Sequence, residues 1–270
     1  MYWLDGEARQ QIDLCDRGLQ YGDGCFTTAR IVNGRVDGLR AHLARMQHAC
    51  ERLMIHGVDW PRWQAEAEQS AATRDEGVLK AIVTRGCGGR GYDPAESHSP
   101  RRIFSTGPLP AHYPALRERG ISLVVSPVRL AHQPLLAGIK HLNRLEQVLI
   151  RASLAQTQAD EALVLDTQDN LVECCAANLF WRSGQRVFTP RLTRCGVDGL
   201  MRQRIYRVLA HSEYHLVEVD AALPALLAAD EVVVCNALMP LLPVRRAATQ
   251  VFSERTLYQF LLPHCLRVEA

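Results

Sequence analysis

Lysine is nearly missing from this chain. Of its 31 cationic residues only Lys80 and Lys140 are lysine, and the rest are arginine. Arginine keeps its proton at every pH a protein meets. A step in which an amine must shed its charge and attack carbon therefore falls to one of two residues. Strong net charge is missing too. At +2 there is no electrostatic footprint for nucleic acid or an anionic membrane. No window approaches the run of about 18 apolar residues that a membrane helix needs. The first residues, Met1-Tyr2-Trp3-Leu4-Asp5, hold no basic segment before an apolar run, so no signal peptide is expected. The nine cysteines contain no C-x-x-C pair, are odd in number and include adjacent Cys174 and Cys175. That excludes a zinc framework or a disulfide scaffold, no metal site is expected, and reduced thiols in a cytoplasmic protein are predicted. Repeats and low-complexity tracts are absent.

What is present is a globular composition, 47% apolar and 22% charged. Asn33-Gly34 between two apolar runs marks a hairpin. Leu39, Leu43, Met46, Ala49, Cys50, Leu53 and Met54 recur at helical spacing. A second helix is expected over about 61–72, a third over about 143–157 with Leu145, Val148, Leu149, Ala152 and Leu154 among its apolar residues, and a fourth over about 200–211. Strands are expected at 77–85, 102–105, 121–126, 161–166, 171–173, 178–182, 186–189 and 232–234. Pro108, Pro110 and Pro114 mark a linker. The pattern predicts a mixed α/β (α+β) chain of two subdomains, 1–107 and 119–270, joined by 108–118.

Several residues carry chemistry. Lys140 sits in Gly138-Ile139-Lys140-His141-Leu142-Asn143, an apolar lead-in to a helix. Arg45, on the first long helix, can aim a bidentate fork at a phosphate. Gly196-Val197-Asp198-Gly199-Leu200 opens a helix whose first N–H groups suit an anion. Asn236, after a buried strand, offers a donor. Glu173 lies between Val172 and Cys174, where a carboxylate needs a cationic or hydrogen-bonding partner.

Together with Asp16–Thr28, His42–Arg45, Gly86–Tyr92, Glu173–Phe180 and Cys235–Pro240, these segments resemble the aminodeoxychorismate lyases of the fold-type IV pyridoxal-phosphate enzyme family, over nearly the whole length. The resemblance implies two subdomains, a cofactor in the cleft between them, and a homodimer. It implies that Lys140 holds pyridoxal 5'-phosphate as an aldimine, that Arg45, Gly199, Leu200, Asn236 and Ala237 bind its phosphate, and that Glu173 faces the pyridine nitrogen. The implied reaction, in folate biosynthesis, turns 4-amino-4-deoxychorismate into 4-aminobenzoate and pyruvate. Lys140, neutral when it acts, removes the C4 proton and the enolpyruvyl group leaves. The substrate's two carboxylates call for cations, and Arg85 and Arg90 around the glycine-rich segment are the candidates, with Thr28 lining the pocket. A D-amino-acid aminotransferase of the same fold is the alternative, and a non-catalytic relative a remoter one. Two departures stand out. Leu145 replaces the tyrosine of branched-chain enzymes, and Cys174-Cys175 replaces small residues.

Overall fold

A computed structural model describes residues 1–97 and 99–269. The chain divides into two compact units. The first contains residues 1–109, 139–143 and the C-terminal Val268 and Glu269; the second contains 110–138 and 144–267.

The first unit is built on an antiparallel sheet. Its elements are β1 (Tyr2–Leu4), β2 (Glu7–Ala8), α1 (Arg17–Tyr21), β3 (Gly24–Val32), β4 (Arg35–Val36), α2 (Leu39–Arg52), α3 (Trp60–Ala71), β5 (Glu76–Thr84) and β6 (Arg101–Gly107). The sheet order is β2-β1-β6-β5-β3-β4. Asn33 and Gly34 take φ of 51° and 71°. This left-handed pair matches the twist of the strands it joins, β3 and β4. Residues of β3 alternate, so Cys25, Ala29 and Ile31 meet Met46, Ala49 and Cys50 of α2 in one apolar cluster that also holds Trp63 and Phe104. Asp16 caps α1, its Oδ1 accepting from the Gly18 N–H at 2.8 Å. The sequence reading passed over this helix because it has only five residues.

The second unit holds α4 (Tyr113–Arg119), β7 (Ile121–Leu130), α5 (Leu145–Leu154), β8 (Glu161–Asp166), β9 (Leu171–Cys174), β10 (Asn178–Ser183), β11 (Arg186–Pro190), α6 (Leu200–Leu209), β12 (His215–Val219), α7 (Leu223–Leu227), β13 (Glu231–Cys235), β14 (Leu242–Ala247), β15 (Gln250–Val251) and α8 (Thr256–Leu266). Its sheet runs β12-β11-β10-β13-β14-β7-β8-β9, with β15 on β14. β7 lies parallel to both β14 and β8. The proline-marked segment contains α4. It starts with Pro114 in its first turn, where the missing N–H costs nothing.

One expectation needs correction, and one helix packs unevenly. Helix α5 buries only some of its apolar residues. Ile150 and Leu154 enter the core, whereas Leu145, Val148 and Leu149 are 76%, 60% and 57% exposed. The helix carries two apolar stripes, and periodicity does not say which faces inward. Nor are all cysteines reduced. Cys15 and Cys87 form a disulfide with Cα atoms 5.2 Å apart, because the turn before α1 and the loop after β5 meet in space. The other seven are free, and Cys174 and Cys175 serve as apolar filling in or against neighbouring core clusters. Among the described residues, no helix is long and apolar enough to cross a membrane.

Candidate active site

In the first unit the segment 139–143 is tied to the start of β3. The Phe26 N–H donates to the Lys140 carbonyl at 2.9 Å, and the Leu142 N–H donates to the Gly24 carbonyl at 3.0 Å. An isolated bridge joins Cys25 to His141. Backbone pairing thus fixes Lys140. Its amine lies 4.4 Å from the centre of the Phe26 ring. The second lysine arrives at the same ring: Lys80 of β5 lies opposite Thr28 of β3, and its amine is 5.2 Å from the Phe26 centre. Phe26, Thr28 and Lys80 therefore share one face of the sheet. The sequence reading named Thr28 but not Phe26 or Lys80, since their meeting depends on the β3–β5 register.

Thr27, one residue along, points to the opposite, buried face. Arg45 of α2 donates from Nη2 to the Thr27 Oγ1, and His42 Nδ1 lies 2.5 Å from the same oxygen. His42 and Arg45 are three apart, on one side of α2. Burial holds His42 well below its ordinary value, and the nearby Arg45 charge adds to this. His42 is accordingly neutral near pH 7.

The glycine-rich loop after β5 is braced from below. Arg17, buried, donates to the Asp23 carboxylate at 3.0 Å and to the carbonyls of Gly91 at 2.9 Å and Tyr92 at 3.3 Å. Arg85, expected to face the substrate, is engaged within the first unit. Its Nε donates to Asp23 at 2.7 Å, and its terminal nitrogens donate to the carbonyls of Leu53 and Met54 at 2.8 and 2.7 Å. Burial works to raise the Asp23 carboxyl, but hydrogen bonds from Arg85 and Arg17 outweigh it and leave its pKa below the usual value. Asp23 lies 62 positions before Arg85, so nothing local in the sequence marks the pair. Arg90, by contrast, is exposed on the loop.

In the second unit Glu173 is buried in β9. Its Oε2 accepts from the Val197 N–H at 2.8 Å. Arg144 is the nearby cation: burial lowers its pKa, while attraction to Glu173 and Glu146 works the other way. Asn178 of β10 organises the turn into α6. Its Nδ2 donates to the Val197 carbonyl at 2.8 Å, and its Oδ1 accepts from Gly199 at 3.2 Å. Gly199 is the N-cap of α6, without a side-chain cap bond. Its own N–H is thus engaged, while the Leu200 N–H has no partner among the described residues. A similar division holds at the end of β13. Asn236 accepts on Oδ1 from Leu238 and Met239 at 2.9 and 2.6 Å, and donates from Nδ2 to the Ala176 carbonyl at 2.8 Å. Asn236 therefore builds this loop, and the Ala237 N–H is the donor left without a partner among the described residues.

The chemistry available is a primary amine, a guanidinium, two loops with open N–H groups and a buried carboxylate. Such a set suits an aldehyde-bearing, phosphorylated ring with a protonatable nitrogen. Comparison with known proteins gives the same direction. The Amino-transferase class IV family matches residues 24–247. A Vibrio harveyi protein named aminodeoxychorismate lyase is 42% identical over 245 residues, 90% of each chain. The crystal structure of 4-amino-4-deoxychorismate lyase from Pseudomonas aeruginosa matches at a TM-score of 0.91 and 40% identity, covering 97% of this chain and 98% of that one. A hypothetical aminotransferase from Mycobacterium tuberculosis in its PLP-bound form matches at a TM-score of 0.85 over 98% and 97% of the two chains. At 17% identity that is a likeness of fold.

Proposed function

The chain belongs to the Amino-transferase class IV family, and from that membership we propose that it is a pyridoxal-phosphate-dependent lyase converting 4-amino-4-deoxychorismate to 4-aminobenzoate and pyruvate. The observation that carries this is its 42% identity to the Vibrio harveyi lyase across 90% of both chains. The aminotransferase alternative lacks comparable support.

The residues fit the cofactor. The second unit offers the N–H groups of Leu200 and Ala237, without partners among the described residues, and the buried Glu173 carboxylate; the first unit offers the Arg45 guanidinium and the Lys140 amine. When bound, pyridoxal phosphate supplies an electron-withdrawing ring that stabilises negative charge on the substrate carbon bearing nitrogen. Arg45 and the N–H groups of Leu200 and Ala237 hold the phosphate. Gly199 and Asn236 shape the turns that present those N–H groups. Glu173 would face the ring nitrogen and favour its protonated form. Lys140 would hold the cofactor through its aldehyde, and its amine, once freed by the substrate's own amine, is the base for the C4 proton of the substrate. Its fixed backbone supplies the positioning that such a step needs. Departure of the enolpyruvyl group leaves an aromatic product, so positioning and one base suffice. Arg90 and Lys80 supply cations for the two carboxylates, and Thr28 lines the same face. Arg85 acts through Asp23 in bracing the loop.

The exposed apolar stripe of Leu145, Val148 and Leu149 supports a homodimer. The reaction is tested by supplying 4-amino-4-deoxychorismate and pyridoxal phosphate and following both products by chromatography. Pyruvate and 4-aminobenzoate in equal amounts are expected. Amino transfer from D-alanine to a keto acid, with neither product from the amino chorismate, would replace the lyase by the aminotransferase.

A further inference from the structure

Arg45 reaches its place from a helix surface, on a long side chain with several rotatable bonds. Something has to hold the guanidinium if it is to meet a phosphate in one geometry. Two side chains do so. Thr27 of β3 is 1% exposed and His42 of α2 is 3% exposed. Arg45 donates to the Thr27 Oγ1, and the same oxygen stands 2.5 Å from His42 Nδ1.

Counting protons fixes the direction of this chain. A guanidinium only donates, so the Thr27 oxygen accepts from Arg45. The threonine hydroxyl has one hydrogen, which in a buried site needs an acceptor. The atom in reach is His42 Nδ1, which accepts only in the neutral ring carrying its proton on Nε2. Were the proton on Nδ1, both neighbours would donate into one oxygen and the hydroxyl hydrogen would have nowhere to go. Burial and the adjacent Arg45 charge favour the neutral ring.

We propose that His42 and Thr27 are positioning residues for the cofactor phosphate: His42 Nδ1 orients the Thr27 hydroxyl, and the Thr27 oxygen locks the Arg45 guanidinium. This rests on the reading that Arg45 binds the phosphate of pyridoxal phosphate, and it adds two residues that touch neither cofactor nor substrate. Because the relay acts on the phosphate alone, it separates two ligands that differ only there. Pyridoxal has the same ring and aldehyde as pyridoxal phosphate but no phosphate.

The test measures equilibrium binding of both aldehydes to the wild type and to Thr27→Val, Thr27→Ser, His42→Leu and His42→Asn. Valine matches threonine in shape and lacks the oxygen. Asparagine places an acceptor near the Nδ1 position, and leucine does not. Thr27→Val and His42→Leu are expected to weaken pyridoxal phosphate by roughly 10- to 100-fold and to leave pyridoxal binding unchanged. Thr27→Ser and His42→Asn are expected to keep most of the wild-type affinity. Equal affinity of Thr27→Val for pyridoxal phosphate, or a parallel loss for both aldehydes, overturns the relay. So does a loss in His42→Asn as large as in His42→Leu, which keeps the proposal testable if Thr27→Val does not fold. Failure of the wild type to bind either aldehyde overturns the cofactor reading, and the relay with it.

Discussion

Gly199 has no room for a side chain. A Cβ there would stand 2.2 Å from the Asn178 Oδ1 that accepts its N–H. Gly199→Ala is therefore expected to push Asn178 aside, cost about 1–3 kcal/mol of stability as overpacked sites do, and weaken cofactor binding by displacing the start of α6. A thermal melt and a cofactor titration check both. An unchanged melt and titration would mean that the Asn178 contact does not set this turn. His42 supplies the pH dependence. Its folded value lies well below 6.5, so between the two values the unfolded chain binds the extra proton. Stability is full above about pH 6.5 and falls as pH drops below it. His42→Asn removes that titration, and urea midpoints measured from pH 7.5 to 5.5 should then fall less steeply than in the wild type. At this scale the sequence is uneven as a guide. The rarity of lysine singles out Lys140 as a candidate, and the setting between Val172 and Cys174 singles out Glu173. Thr27 was not legible, because Thr27 and Thr28 look alike until the strand sends them to opposite faces. The tie of Arg85 to Asp23 was not legible because the two are distant in sequence.

Among the elements, α5 is the one that bears on the proposed dimer. Leu145, Val148 and Leu149 follow helical spacing on its exposed side, while Ile150 and Leu154 anchor the other. Val148→Asp, 60% exposed in the single chain, is expected to turn a dimer into a monomer while leaving each chain folded. Sedimentation velocity reads the mass and circular dichroism the fold. A dimer of wild-type stability would remove α5 from the interface. Strands β8, β10 and β13 were easy to read as apolar runs between turn residues, and the β3–β4 hairpin was announced by Asn33-Gly34. Helix α8 was not. Its apolar residues crowd several faces, with Leu257, Tyr258, Leu261 and Cys265 buried, and Pro263 lies within it. Phe260, Leu262 and Leu266 add apolar residues outside the buried stripe and blur the helical period.

For the whole molecule, contacts between distant positions matter most. A linear reading of composition marks a change near residue 108 but has no means of assigning 139–143 to the first unit. That assignment depends on the pairing of Leu142 with Gly24. The Cys15–Cys87 disulfide is long-range in the same sense, with 72 positions between its ends. Alkylation in denaturant without reductant is expected to label the seven free cysteines, and alkylation in denaturant after reduction all nine. Reduction should also lower stability by about 2–4 kcal/mol, since closing a long loop restricts the unfolded chain. Nine labelled cysteines before reduction would show that the bond does not form.

Of the two lysines, Lys140 is the one proposed to carry the chemistry. Borohydride reduction of the protein loaded with pyridoxal phosphate fixes the cofactor on whichever amine holds it, and peptide mass mapping then names the residue. The cofactor is expected on Lys140, with no label on Lys80 and none on a Lys140→Ala variant. A label on Lys80, or an undiminished label in the Lys140→Ala variant, would contradict the account.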